Sequence, residues 1–187
     1  MVISLSGTHC TGKTTLVNAL KEDPFFQNAV FLDSSGKGLS HLGIKINQGG
    51  DNTSQLYFAS KDLKQTLESQ NEELVILDRS IIDTWIYTKY LYLRDKVSTS
   101  TMAAVSAIRS NVEPLIDHIF IFEPSFELVN EAERSMDKEF QSEVCGLFRC
   151  EFCLQNVAHP APGFTFLPAS LEARVESIKS YIESHRQ

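Results

Sequence analysis

The sequence predicts an α/β fold in which helices cover both faces of a parallel sheet. Five short, apolar runs have the character of buried strands, at 2–6, 29–33, 73–78, 117–122 and 163–167. Longer stretches with helical patterns separate them, at 13–21, 53–69, 80–94, 100–112, 137–157 and 170–185. Unbroken apolar runs are typical of strands covered on both faces. Because strands and helices alternate along the chain, we expect βαβ units with parallel strands.

Length and composition limit the class of protein. The chain has 187 residues, of which 42% are hydrophobic and 22% are charged, as in ordinary globular proteins. We therefore expect a single domain over residues 1–187. The sequence contains no apolar run of the roughly eighteen residues that a membrane span needs. Because a strand-like run begins at residue 2, we expect no signal peptide and a cytoplasmic protein. The net charge of −7 gives no general attraction to nucleic acid.

The first strand leads into the segment GTHCTGKTT, residues 7–15. The spacing Gly7-x-x-x-x-Gly12-Lys13-Thr14 is that of a phosphate-binding loop. In this pattern backbone N–H groups surround an anion, the lysine reaches the outer phosphates, and the threonine hydroxyl binds Mg²⁺. The positive N-terminal end of the following helix also faces the phosphates. We therefore expect ATP and Mg²⁺ to be bound by Gly7, Thr8, His9, Cys10, Thr11, Gly12, Lys13, Thr14 and Thr15.

The next two strands each end in a carboxylate, Asp33 and Asp78, and Arg79 follows the second. A carboxylate in the position of Asp78 lies beside Mg²⁺ in phosphate-loop proteins, although capping of the next helix is the alternative. Arg79 stands where ATP-driven motors carry a second acid, and its cation suits a phosphate group on an acceptor. Asp33 is predicted either to take a proton from the acceptor's hydroxyl or to form a turn.

Two long segments, 34–52 and 123–136, show no strand or helix pattern. Segments of this kind in a compact domain are usually functional. We predict an acceptor-binding region over about 34–70 and a lid over about 123–138.

Four side chains near this region are candidates for contact with an acceptor base. Gln55 offers paired donor and acceptor groups, and Phe58 offers a ring for stacking. Tyr57 and Trp85 are expected to pack in the core instead, as most aromatic residues at helical spacing do.

Three cysteines and a histidine near the end of the chain allow a second kind of site. Cys145, Cys150, Cys153 and His159 could supply four zinc ligands. Apolar positions continue through this segment at helical spacing, however, and buried helical cysteines often act as small hydrophobic residues. The sequence therefore favours a helix without metal.

Three segments together resemble a known group of enzymes: GTHCTGKTTL, ILDRSIIDTWIYTKYL and FEPSFELVNEAERSMDKEFQ. They look like the small phosphate-loop nucleoside and nucleotide kinases related to thymidylate kinase. Within that group the chain is most similar to the family associated with NAD metabolism and typified by nicotinamide riboside kinase domains, which has many phage-encoded members. The resemblance implies the three-layer fold of phosphate-loop NTPases, with a five-stranded parallel sheet of order 2-3-1-4-5 and a lid.

The resemblance also implies catalytic roles for Lys13, Asp78, Arg79 and the lid residue Arg134. Arg134 could close over the phosphates and neutralise charge on the transferred group, or it could pair with neighbouring glutamates on a helix surface. Lys138 is a second candidate for the same role. Related deoxynucleoside kinases carry a glutamate where this chain has Asp33, so the role of that residue is less firmly implied.

The sequence as a whole predicts a Mg²⁺-dependent kinase that transfers the γ-phosphate of ATP to a small molecule. The acceptor is a nucleoside, a nucleoside monophosphate or a nucleotide-like compound. Two alternatives stay open: a kinase acting on a modified base or a terminus in DNA, and a nucleotide-hydrolysing switch. The prediction includes no membrane partner and is compatible with a homodimer.

Overall fold

The computed structural model describes residues 1–33, 43–124, 137–154 and 162–185. Within them the strands are β1 (Val2–Gly7), β2 (Val30–Asp33), β3 (Val75–Asp78), β4 (His118–Phe122) and β5 (Gly163–Phe166). The helices are α1 (Lys13–Glu22), α2 (Asn52–Ser69), α3 (Ile81–Tyr92), α4 (Thr99–Val112), α5 (Lys138–Leu154) and α6 (Leu171–His185). Short 3₁₀ turns occupy Pro24–Phe26, Asn47–Gly49 and Glu113–Leu115. The third of these falls beyond the predicted helix 100–112, whereas the second lies in a segment predicted to have no structure.

The strands form one sheet of order β2-β3-β1-β4-β5, and every neighbouring pair is parallel. This is the order that the resemblance implied, so the fold prediction is confirmed. Because all strands run the same way, their carboxyl ends lie at one edge of the sheet. That edge carries Gly7, Asp33 and Asp78, and the pairing places Asp33 opposite Asp78.

Alternate residues of the central strands pack into two separate hydrophobic cores, one on each face of the sheet. On one face Val75 and Leu77 of β3 pack with α2, α3, α4 and α5. On the other face Ile3 and Leu5 of β1 pack with α1 and α6. This alternation follows from the two-residue period of a strand, and it produces the three layers that the sequence predicts.

The two edge strands differ from the sequence prediction. All residues of β1, β3 and β4 are buried, but β2 and β5 are only partly covered. Each edge strand has a neighbouring strand on one side only, which leaves its other side less covered. The apolar residues of β2 still alternate between the two cores, with Val30 and Leu32 toward one and Phe31 toward the other. No helix in the described part of the chain is long and apolar enough to cross a membrane.

Candidate nucleotide-binding site

The phosphate-loop sequence connects β1 to α1 through a backbone that few residues can adopt. Gly7 has a φ of 144°, Cys10 of 54° and Gly12 of 83°. A Cβ atom on Gly7 would lie 2.6 Å from the carbonyl oxygen of Phe122 in the neighbouring strand β4. Glycine is therefore required at position 7 by its backbone angle and by the close approach of β4.

The ammonium group of Lys13 is held by the loop itself. Its Nζ donates hydrogen bonds to the carbonyl oxygens of Gly7 at 2.7 Å and Thr8 at 2.5 Å, and to Oγ1 of Thr11 at 3.2 Å. The side chain is buried, and Nζ also lies 5.5 Å from the centre of the Phe122 ring. This geometry keeps one positive charge within the turn that the sequence predicts for phosphate binding.

Side chains from two distant helices hold the outer carbonyl groups of the loop. Nε2 of Gln141 in α5 donates to the carbonyl oxygen of His9 at 2.8 Å. Nη1 of Arg174 in α6 donates to the carbonyl oxygen of Thr11 at 2.9 Å. In a planar peptide the N–H points opposite to the C=O, so the N–H groups of Cys10 and Gly12 point away from these two side chains. The loop can therefore present those N–H groups to an anion.

The residues predicted to bind a metal offer oxygen atoms. Thr14 lies in the first turn of α1 and is half-buried, whereas Asp78 is 8% exposed at the end of β3. Hydroxyl and carboxylate oxygens are ligands that Mg²⁺ prefers, so this donor chemistry fits the ion. Asp33, the predicted base, is exposed at the end of the adjacent strand β2.

Arg79 begins the turn from β3 into α3, and its backbone is in the left-handed region, with a φ of 78°. Nη1 donates to Oδ1 of Asp83 at 3.0 Å and to the carbonyl oxygen of Gly7 at 3.3 Å. Its guanidinium carbon lies 5.7 Å from the centre of the Tyr87 ring. Burial opposes the charge, but Tyr87, Asp83 and Asp78 together raise the pKa of Arg79 above its ordinary value. Arg79 is therefore a fixed cation next to the phosphate loop.

The predicted base-contacting residues lie on α2. Gln55 is buried, and its Oε1 accepts a hydrogen bond from Thr88 of α3 at 2.9 Å. Phe58 is half-buried, and its ring and that of Tyr57 are arranged edge to face with centres 5.6 Å apart. Tyr57 itself is 37% exposed, so the expectation that it packs in the core is wrong. Tyr57 is exposed because it lies on the face of α2 that points away from the core.

Trp85, in contrast, packs as expected. Its Nε1 donates to Ser106 of α4 at 3.0 Å, and the guanidinium of Arg109 lies 4.1 Å from its ring centre. The ring is therefore a contact between α3 and α4.

Several predicted residues lie outside the described part of the chain. They are Arg134 with most of the lid region, residues 34–42 of the predicted acceptor-binding region, and His159 of the zinc alternative. Lys138, the second lid candidate, is exposed at the start of α5. That helix runs through all three cysteines, of which Cys145 is buried and Cys150 and Cys153 are exposed. Within the described residues no group of three His, Cys, Asp or Glu side chains is arranged to hold a metal.

Three residues that contact the loop were not predicted from the sequence: Asp83, Gln141 and Arg174. Asp83 carried a partial signal, because Ser80-x-x-Asp83 has the spacing of a capping box, and the structure contains that box at the start of α3. Nothing in the local sequence indicated that the same carboxylate would reach β1. Gln141 and Arg174 lie 132 and 163 positions from their partners, so no local pattern could identify them.

Together the loop, the sheet order and the two helix layers define a phosphate-loop α/β protein. Residues 2–151 match the AAA domain family, and the chain belongs to that family. No curated protein matches the chain.

Solved structures with the same fold include two of deoxyadenosine kinase from M. mycoides. The first, with the products dCMP and a flexible dCDP, has a TM-score of 0.71 at 19% identity and covers 98% of this chain and 100% of its own. The second, with dATP bound, has a TM-score of 0.70 at 19% identity over the same shares of the two chains. NadR in complex with NR has a TM-score of 0.70 at 20% identity, covering 97% of this chain but 50% of the NadR chain. At these identities the similarity concerns the fold.

Proposed function

We propose that the protein is an ATP-dependent phosphotransferase that acts on a nucleoside, a nucleoside monophosphate or a nucleotide-like small molecule. The observation that carries the proposal is the pair of cations at the carboxyl ends of two adjacent strands. Lys13 is held in the loop after β1, and Arg79 follows β3 and contacts the same residue of that loop, Gly7. One cation suits the phosphates of the donor, and the other suits an anionic group near the point of transfer.

The proposed roles follow from position. The loop N–H groups and Lys13 bind the outer phosphates of ATP, and Arg134 covers them from the lid. Thr14 and Asp78 would hold Mg²⁺, which when bound neutralises charge on the phosphate oxygens. Asp33 orients the acceptor and, where the acceptor presents a hydroxyl, takes its proton.

Arg79 favours a transferase over a hydrolysing switch. A switch needs a group that orients an attacking water, whereas a guanidinium offers only donors and binds anions. The fold shared with a deoxyadenosine kinase and with NadR supports the same choice.

The basic residues after β3 favour a small acceptor over DNA. A DNA-binding groove needs several cations available to phosphates. Lys89 lies 3.7 Å from Glu151, Arg94 pairs with Glu143, and Lys96 donates to the carbonyl oxygen of Gln48 at 2.6 Å. These partners use the cations that such a groove would require.

We further propose that the protein works in the cytoplasm, where ATP is available, and a homodimer is compatible with this proposal.

An acceptor screen with γ-labelled ATP tests the proposal. Purified protein is incubated with nucleosides, nucleoside monophosphates, nicotinamide riboside and DNA containing modified bases, each with and without Mg²⁺. We expect label on one class of small molecule, and labelling about 10³-fold slower with Lys13→Ala. Label found only on DNA would show that the acceptor is DNA and not a small molecule. Release of phosphate without any labelled acceptor would show that the protein is a hydrolase and not a transferase.

A further inference from the structure

The carboxylate of Asp83 joins three parts of the site. Its Oδ1 accepts a hydrogen bond from the backbone N–H of Gly7 at 3.1 Å and another from Nη1 of Arg79 at 3.0 Å. Its Oδ2 accepts from the backbone N–H of Ser80 at 3.3 Å. Asp83 is 3% exposed, so these contacts are sheltered from water and the charge on the carboxylate is stabilised by them.

Gly7 is consequently held from both sides. Asp83 holds its N–H, while Arg79 and Lys13 hold its carbonyl oxygen at 3.3 Å and 2.7 Å. The two proposed substrate-binding cations therefore share the carbonyl oxygen of one residue of the phosphate loop, and the N–H of that residue is held by the carboxylate that also orients Arg79.

The backbone of Arg79 shows that this arrangement is maintained at a cost. A non-glycine residue with a φ of 78° is strained. The surrounding contacts keep it there: its backbone N–H donates to the carbonyl oxygen of Leu5 at 3.1 Å, and its side chain is tied to Asp83. The hydrogen bonds to Asp83 and to the carbonyl oxygen of Gly7 both use Nη1.

We propose that Asp83 is a positioning residue that couples anion binding at Arg79 to the conformation of the phosphate loop. This inference rests on the proposed function for the identity of the two substrates. An anion that binds Arg79 changes the position of the guanidinium that contacts both Asp83 and Gly7. The conformation of the loop then changes through Gly7. Nucleotide and acceptor should therefore bind cooperatively, and the cooperativity should need the carboxylate.

The test compares Asp83→Asn with Asp117→Asn. An asparagine has one acceptor oxygen, so it can satisfy Ser80 or the pair Gly7 and Arg79, but not both sets. Asp117 is the matched control, because its Oδ2 accepts from the N–H of Val2 at 2.6 Å, at the opposite end of the same strand.

ADP binding is measured by calorimetry with no acceptor present. Asp83→Asn should weaken it about tenfold, and Asp117→Asn should leave it unchanged. Arg79→Ala should also weaken ADP binding, by about threefold, because it leaves Asp83 without its cation; this variant serves if Asp83→Asn does not fold.

The acceptor found in the screen provides the second readout. Asp83→Asn and Arg79→Ala should each raise the acceptor KM by about tenfold or more, and the double variant should be no worse than Arg79→Ala. Unchanged ADP binding in both single variants, or additive effects on the acceptor KM, would overturn the coupling. Failure of the wild-type protein to phosphorylate any acceptor would overturn the proposed function instead, and the ADP measurements would still decide the role of Asp83.

Discussion

Replacement of Gly7 by alanine tests whether the loop geometry depends on glycine. An alanine there would keep a φ of 144°, and its Cβ would lie 2.6 Å from the carbonyl oxygen and 3.0 Å from the Cβ of Phe122. The backbone strain costs about 1–3 kcal/mol, and relief of an overpacked contact costs a further 1–3 kcal/mol or so. We expect Gly7→Ala to lower the free energy of unfolding by about 2–6 kcal/mol, a large part of a typical total.

The loop can escape this cost only by moving away from β4, which also displaces its N–H groups. ADP affinity should therefore fall at least about tenfold even in the molecules that fold. Urea unfolding and calorimetric ADP titration measure the two effects separately. Gly146→Ala is the control, because Gly146 lies inside α5 and, its chain neighbours and the adjacent helix backbone apart, none of the described atoms is within 4 Å of its added Cβ. That change should stabilise the protein by about 0.5–1 kcal/mol. A Gly7→Ala protein with wild-type stability and ADP affinity would refute the reasoning.

Three further predictions follow from named contacts. Lys13→Ala should lower the rate of phosphoryl transfer by about 10³-fold while circular dichroism shows an intact fold; a fully active variant would contradict the site. Arg174→Gln should weaken ADP binding about tenfold because Thr11 loses its charged donor, whereas Lys179→Gln on the same helix should not, and equal affinities for both would contradict the role of Arg174. Burial and the positive charge of His185 lower the pKa of His118 from 6.5 to about 4. A shift from pH 7 to pH 4.5, below the unfolded pKa, should therefore cost the folded state about 2 kcal/mol. Urea unfolding of His118→Gln should not show this loss. An identical pH dependence of the free energy of unfolding in the wild-type protein and in His118→Gln would exclude the effect.

The parts of the fold that were predictable are those with local signals. The apolar runs predicted every strand within two residues, and the phosphate-loop spacing predicted where α1 begins. The order of the strands in the sheet could be predicted only from the family resemblance, because periodicity alone does not say which strands are neighbours. The serines in β1 show the same limit: Ser4 interrupts an apolar run because its hydroxyl bonds to Ser80, which lies 76 positions away.

The site was predictable only where its residues are close together in the sequence. Residues 7–15 and the pair Asp78-Arg79 could be found by spacing, but Arg174 could not. On an amphipathic helix a charged residue is expected to face water. Arg174 is instead 3% exposed, with its guanidinium 5.0 Å from the centre of the Phe122 ring and hydrogen-bonded to the loop. Burial lowers the pKa of this arginine, a cost that local sequence patterns do not reveal.

The three contacts to the loop come from both helix layers, and this has a consequence for binding. Asp83 and Gln141 reach it from α3 and α5 on one face of the sheet, and Arg174 reaches it from α6 on the other. These residues lie 76, 132 and 163 positions from the loop along the chain, so the shape of the loop depends on the packing of both layers. A ligand that binds the shaped loop and not the unfolded chain therefore stabilises both layers at once. Changes that loosen α6 against the sheet should weaken nucleotide binding even when they leave every phosphate-contacting residue in place.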